Sequence, residues 1–334
     1  MRPAVIFLVT ASVHTLLSNC LSTSYTLKDQ ALPADLDRYL AAQEAAVTGV
    51  IPGDEKSIAW AGGKGGQTLV SIVYIHGYQG SPHDIAPVLE RVAREIGANL
   101  FCTRLTGYAV NTETIVDVTF EDWANDAWEA VRIGRAIGRQ VVVVGTSMGG
   151  DLALWLAAQK VPEVAALVLL SPAVQPRDRR TNMLLWPWPI RNTLLHAIQG
   201  KYSINTYDAE RYPTGDAKLF TRLNPARYRT ESIVKLMTVV KVTRALPLES
   251  ITIPSLWLYS EKDNAVDVPS IKSFFARTGG GGKCLREVPG SNGHMLAGDM
   301  WQPETTDVVV SDILAFLKDS GLTGLPASGS GAGN

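Results

Sequence analysis

A chain of 334 residues with 46% hydrophobic content can bury a large core, enough for one sizeable domain with an insertion or for two domains. Its 31 Lys and Arg nearly balance 32 Asp and Glu, a formal net charge of -1 with no Lys/Arg run, which argues against a phosphate-backbone binder and against nucleic acid as a partner. The 3 cysteines form no Cys-x-x-Cys pair and the 5 histidines show no His-x-x-x-His or His-Glu-x-x-His spacing, so no metal site is indicated.

Residues 1–20 read as an export signal. Arg2 gives a minimal positive start, residues 4–13 are an apolar run, and Leu16-Leu17-Ser18-Asn19-Cys20 closes it. The closing residues resemble the lipobox of bacterial lipoproteins, in which the cysteine is acylated and becomes the mature N-terminus; Asn19 stands where a small residue is usual. A lipoprotein tethered to the membrane through Cys20, a cleaved, secreted chain, and an uncleaved anchor or cytoplasmic start all remain open, the first two implying a bacterial cell-envelope location. No second stretch approaches the roughly 20 apolar residues of a membrane-spanning helix.

Residues 21–66 form a lead-in. Leu36, Tyr39, Leu40 and Ala46 or Val47 fall on one face of a short helix, begun near Pro33 and Asp35 and stopped before Gly49. Ile58-Ala59-Trp60 and residues 68–75 read as strands, joined by a glycine cluster at 62–66 that lacks the Gly-Lys-Ser/Thr ending of a phosphate loop. The second strand ends at His76-Gly77. Ser81 as N-cap, Pro82 at the first helical position and Asp84 as capping partner then predict a helix running through Ile96. The intervening loop presents backbone N–H groups, among them that of Tyr78, while His76 reads as structural.

A strand over 100–105, a long connection and a helix over 121–137 lead to Val141-Val142-Val143-Val144-Gly145-Thr146-Ser147-Met148-Gly149-Gly150-Asp151. Four β-branched residues running into Gly-x-Ser-x-Gly describe a buried strand that breaks sharply into a helix, with Ser147 at the tip as candidate nucleophile. The amides of Tyr78 and Met148 would make a two-donor oxyanion hole. Residues 165–172 and 255–260 supply further buried strands, and the alternation with helices predicts a mostly parallel sheet. Residues 173–250 carry no apolar run with turn signals on strand spacing and so leave the sheet. Within them Ile233, Leu236, Met237 and Val240 share a helix face, and Arg177, Arg179 and Arg180 read as a solvated rim.

The order of His-Gly loop, Gly-x-Ser-x-Gly, Leu-Leu-Ser-Pro strand end, Ser-Glu-Lys-Asp turn and late Gly-His resembles the α/β-hydrolase superfamily. Within it the likeness is to monoacylglycerol lipases and lysophospholipase-like carboxylesterases, over most of residues 68–318. The resemblance implies an α/β-hydrolase fold, a mostly parallel central sheet flanked by helices with a helical cap. Residues 67–172 and 251–318 form the core, 173–250 the cap, and 319–334, rich in Gly, Ser and Ala, a disordered tail. It places the acid at Asp263 in Ser260-Glu261-Lys262-Asp263 and the base at His294 in Ser291-Asn292-Gly293-His294. The chemistry agrees: a serine hydroxyl needs a neutral imidazole to accept its proton and a carboxylate to orient that imidazole. Among the histidines, His14 lies in the export segment, His83 at a helix start and His196 in the cap, which leaves His294. Asp267 competes with Asp263 for the acid.

In such folds the cap roofs the serine, making Leu185, Trp186 and Trp188 of the apolar piece 183–190 the candidate substrate contacts, unless they only seal the cap onto the core. The implied strand order also sets Cys102 and Cys284 far apart, against a disulfide between them. The expected activity is a cofactor-free serine hydrolase acting on a small ester or lipid substrate, monoacylglycerol-like or of short to medium acyl chain, through an acyl-enzyme. An amidase, aminopeptidase or acyltransferase would use the same three side chains, and a non-catalytic binding protein could share the scaffold.

Overall fold

The computed structural model describes Leu27, residues 31–185 and residues 191–323. The expected export signal with Cys20, the tryptophans Trp186 and Trp188, and residues 324–334 of the expected tail lie outside the described residues.

The lead-in comprises α1 (Leu36–Ala45), started by Asp35, whose carboxylate accepts from the Arg38 amide, and the short strand β1 (Ser57–Ala59). The alternation follows as β2 (Thr68–Ile75), α2 (Val88–Ile96), β3 (Asn99–Thr103), α3 (Phe120–Ile137), β4 (Gly138–Thr146), α4 (Met148–Ala158) and β5 (Val164–Leu170). Between β5 and the return to the sheet the chain inserts α5 (Arg191–Gln199), β6 (Tyr202–Ile204), α6 (Ala217–Leu223), β7 (Arg227–Arg229) and α7 (Ser232–Arg244). It then completes the sheet with β8 (Ser255–Tyr259), α8 (Val268–Arg277), β9 (Lys283–Glu287) and α9 (Pro303–Asp319).

The 7-stranded sheet runs β1-β3-β2-β4-β5-β8-β9, parallel throughout except for β1, which lies antiparallel to β3. Helices cover both faces, and the valine run of β4 follows from that. Val141 and Val143 point into one core cluster with Trp123 and Trp155, while Val142 and Val144 point into the other with Tyr74 and Phe316. A strand buried on both faces has no polar side to alternate with. Cys102 on β3 and Cys284 on β9 are both free, with β2, β4, β5 and β8 between them.

Three expectations are corrected. The helix after β2 does not begin at Ser81: residues 81–87 run as successive turns, with Asp84 N–H to Ser81 O at 3.1 Å and Ala86 N–H to His83 O at 3.1 Å, and α2 starts only at Val88. Pro87 has no N–H to give His83 and disfavours helical backbone at Ala86, so a helix begun at Ser81 could not be carried through. The local contact survives without the helix, the Ser81 amide donating to Asp84 Oδ1 at 3.0 Å. Secondly, β3 ends at Thr103 because Arg104 turns to a buried ion pair with Glu44 at 2.8 Å and the Leu105 amide turns to His76 Nε2 at 3.0 Å. Thirdly, the insertion holds a two-stranded antiparallel ribbon, β6 with β7, too short and too rich in arginine for an apolar period to reveal.

The turn between β4 and α4 is packed to the limit. A Cβ on Gly149 would lie 2.0 Å from the Ile75 carbonyl oxygen, and one on Gly145 would lie 2.3 Å from the Gly149 oxygen. On its far side α4 packs against α7 of the insertion, with Asp151 fully buried. Burial pushes this carboxyl up to about 8, against the pull of the Thr243 hydroxyl, the Arg244 guanidinium and the Ala173 amide.

Two outcomes follow from this packing. Gly149→Ala should cost at least about 1–3 kcal/mol in urea unfolding, whereas Gly62→Ala, with nothing within 4 Å of its added Cβ, should leave the midpoint where it is; equal midpoints would contradict the packing. Between the ordinary Asp value of about 3.9 and its own value of about 8, folded Asp151 keeps a proton that the unfolded chain has lost, so its contribution to stability falls as pH rises through that window. Asp151→Asn should therefore match the wild type near pH 5, roughly one unit above the ordinary Asp value, and exceed it near pH 8, roughly where the folded group titrates. A stability difference that does not change with pH would show the carboxyl to be ionised in the fold.

Candidate active site

Because β2, β4, β8 and β9 are parallel, the residues that follow each of them meet at one edge of the sheet. Ser147 follows β4 and is held with φ 53° and ψ -118°, a left-handed conformation that costs a non-glycine residue about 1–3 kcal/mol and persists only where its surroundings enforce it. Its backbone is fixed on both sides: Ser147 N–H donates to Leu170 O at 2.8 Å, and its carbonyl accepts from Gly150 at 2.9 Å and from Ala173 at 3.1 Å. The Ser147 side chain makes no capping bond to α4, although Ser147 occupies the position before the first turn. Its hydroxyl is thus left for other work. Met148, the first residue of α4, is fully buried.

The His76-Gly77 turn after β2 passes directly beside the serine. A Cβ on Gly77 would stand 3.1 Å from Ser147 Cβ and 3.8 Å from Ser147 Oγ, so glycine is needed for the approach and Tyr78 follows at once. His76 itself is fully buried with both ring nitrogens engaged, Nδ1 at 2.9 Å from Gly77 O and Nε2 accepting from Leu105. Burial pulls it down to about 4, so the ring is neutral and serves as a brace for the turn.

Asp263 stands on the turn after β8, fully buried. Its Oδ1 accepts from the Ala265 and Val266 amides, each at 2.8 Å, and its Oδ2 lies 2.9 Å from His294 Nδ1 on the loop after β9. Burial alone would raise this carboxyl, but attraction to His294 and the three hydrogen bonds outweigh it and hold Asp263 below the usual carboxylate range. The competitor Asp267 is used elsewhere. Its Oδ2 caps α8 by accepting from the Ser270 amide at 3.1 Å and hydroxyl at 2.6 Å, and it pairs with Arg179 at 3.3 Å. His196 is engaged elsewhere, lying 2.9 Å from Glu231 within the insertion. Among the described residues no group of three or more His, Cys, Asp or Glu is placed to hold a metal ion.

Several residues that hold the site were not legible as such. Arg177 is exposed, as are Arg179 and Arg180, in keeping with a solvated rim, but its guanidinium also donates to the Asp263 carbonyl, while Arg179 and Arg180 pair with Asp267 and Asp178. Tyr212 of the insertion accepts from the Met295 amide at 3.1 Å through its hydroxyl, and Arg211 donates to Asn292 O at 3.1 Å, so both flanks of His294 are tied to the insertion. Gln302 accepts from the Asn292 amide at 2.6 Å and donates to Ser291 Oγ at 3.1 Å. These are single polar residues whose partners lie far along the chain, a relation that no local pattern encodes. Leu185, expected at the substrate, is half-buried against the core cluster, which fits the sealing role weighed for it.

The comparisons with known proteins agree with this architecture. The family profile described as serine aminopeptidase, S33 (Hydrolase_4) matches residues 67–300. A thermostable monoacylglycerol lipase of Bacillus sp. (strain H-257) is 31% identical over 105 residues, which is 31% of this chain and 41% of that relative, so the chain spans less than half of its length. Among solved structures, one reported for LipS and LipT, two metagenome-derived lipolytic enzymes, has a TM-score of 0.63 at 20% identity, covering 81% of this chain and 99% of that one. A soluble variant of the monoglyceride lipase of Saccharomyces cerevisiae, in complex with a substrate analog, has a TM-score of 0.59 at 16% identity, covering 80% of this chain and 91% of that one. At such identities the structural likeness is one of fold, and the match over residues 67–300 carries the assignment: the chain belongs to the serine aminopeptidase, S33 (Hydrolase_4) family of α/β-hydrolases.

Proposed function

We propose that the protein is a serine hydrolase that cleaves carboxylic esters, monoacylglycerol-like or of short to medium acyl chain, through an acyl-enzyme. The observation that carries this reading is the buried Asp263 Oδ2 at 2.9 Å from His294 Nδ1, on the sheet edge where Ser147 is held at φ 53°. With Nδ1 engaged, Nε2 of His294 is the nitrogen that takes the Ser147 proton as Oγ attacks the ester carbonyl. The Tyr78 and Met148 amides receive the developing oxyanion, and His294 returns the proton to the leaving alcohol. Water, deprotonated by the same imidazole, then releases the acid and restores the serine. All groups in this sequence are side chains and amides of the chain, and the reading involves no cofactor.

The ester preference is supported by the lipase and esterase names of the relatives and by the apolar composition of residues 183–190. The composition of residues 1–20 supports a cell-envelope location for the enzyme, tethered at Cys20 or released.

A panel of p-nitrophenyl esters, matched anilides and acyl acceptors tests the reaction class. Ester hydrolysis should dominate, and kcat should fall about 10⁴-fold or more in Ser147→Ala and His294→Ala and by a similar factor in Asp263→Asn, with Asp267→Asn staying within about threefold of wild type. Anilide turnover above ester turnover would point to a peptidase, and undiminished hydrolysis by Ser147→Ala would refute the mechanism. In the same assay kcat/KM should be higher at neutral than at acid pH, because a protonated imidazole cannot accept the Ser147 proton; a profile flat from acid to neutral would remove the general base.

A further inference from the structure

The loop after β2 is fastened from above by the insertion. Tyr78 Oη lies 2.7 Å from Ser232 Oγ at the start of α7, and it accepts a second hydrogen bond from Gln79 Nε2 at 3.0 Å. Gln79 carries φ 57°, an unfavourable value for a side chain of its kind, and its carbonyl faces the Tyr228 hydroxyl of β7 at 3.5 Å. Ser232 is fully buried and Tyr228 nearly so, and the Tyr78 ring meets Tyr108 edge-on with centroids 6.4 Å apart. Burial pushes the Tyr78 phenol up to about 12, so it keeps its proton at any working pH, and with the Gln79 amide occupying one lone pair that proton is free for Ser232.

The geometry has a consequence for the amide of Tyr78. Gly77 on one side has no side chain and Gln79 on the other is held away from its preferred backbone at φ 57°, so the neighbours' own preferences do not fix the Tyr78 peptide planes. A tyrosine ring has only two side-chain torsions, so holding its hydroxyl narrows the positions open to its Cα and the directions open to its N–H. We infer that Ser232 is a positioning residue for ester cleavage: by holding the Tyr78 phenol it aims the Tyr78 amide at the oxyanion, so that the insertion completes the catalytic site as well as covering it. The inference rests on the proposed role of that amide as an oxyanion donor. It extends that role to a residue 154 positions further along the chain.

Kinetics on a short-chain p-nitrophenyl ester test it, with Ser232→Ala, Tyr78→Phe, the double variant and Ser232→Thr, and the thermal midpoint of each measured alongside. Ser232→Ala and Tyr78→Phe should each lower kcat about tenfold with KM within about twofold, because a displaced donor weakens the transition state and leaves the ground state alone. The double variant should be no slower than either single one, since both remove the same contact. Ser232→Thr, which keeps the hydroxyl, should recover kcat to within about twofold of wild type, and a trifluoromethyl ketone that forms a tetrahedral oxyanion should lose affinity in step with kcat. The inference is overturned by a kcat within about twofold of wild type in Ser232→Ala, by losses that multiply in the double variant, or by a threonine variant as slow as the alanine one. If Ser232→Ala fails to fold, Tyr78→Phe carries the same comparison, and wild-type kcat there overturns it equally. Failure of the parent reading is distinct: Ser147→Ala would then stay active, whereas here it is inactive whatever Ser232 does.

Discussion

The constraint on which the structure depends is the contact of the first turn of α4 with the end of β2, where Gly149 lies so close to the Ile75 carbonyl that no side chain fits. Two glycines, Gly145 and Gly149, let β4 turn into α4 within one residue, and that residue is Ser147. Its φ of 53° is held by backbone hydrogen bonds to β5 and to the strap that follows it, at Leu170 and Ala173. A serine in a relaxed loop would be free to bond its own helix terminus. Here the side chain is turned away from that use, and the strain is the cost of presenting it.

A second constraint concerns charge. Asp263 is buried without access to water, yet three donors converge on it: two amides of its own turn and the ring nitrogen of His294. A carboxylate so placed stays ionised and fixes both the tautomer and the orientation of the imidazole. The insertion is part of the same arrangement. Arg177 reaches the Asp263 carbonyl, Arg244 donates to Val174 O at 3.1 Å beside it, and Tyr212 and Arg211 hold the loop of His294. The turn of Asp263 and the loop of His294 are thus anchored to the segment that lies outside the sheet, and its movement would be felt at both.

Much of this was legible in the sequence, for physical reasons. The valines of β4 announced a strand covered on both faces, and the glycines around Ser147 announced a turn that has few other uses. The helix read over 121–137 from its apolar spacing begins one residue earlier as α3, where Thr119 and Asp122 form a reciprocal capping pair. Where the reading failed, a non-local requirement had overruled a local one. Ser81, Pro82 and Asp84 form a respectable helix start, but Pro87 lies too near for the helix to proceed, and the three residues serve the loop beside Ser147 instead. The arginines at 177, 179 and 180 are exposed, as a solvated rim requires, but the acceptor of Arg177 lies 86 residues away and left no local signal. The ribbon of β6 and β7 is three residues per strand, below the length at which a period of two can be told from chance.

The most direct measurement is covalent. A fluorophosphonate reacts with a serine only where an imidazole activates it and oxyanion donors receive the phosphoryl oxygen, so intact mass followed by peptide mapping reads the whole arrangement at once. The account requires one adduct per chain, on Ser147, lost when His294 is replaced by alanine while the protein remains folded. A folded wild-type chain that takes up no label, or takes it up at another serine, would contradict it.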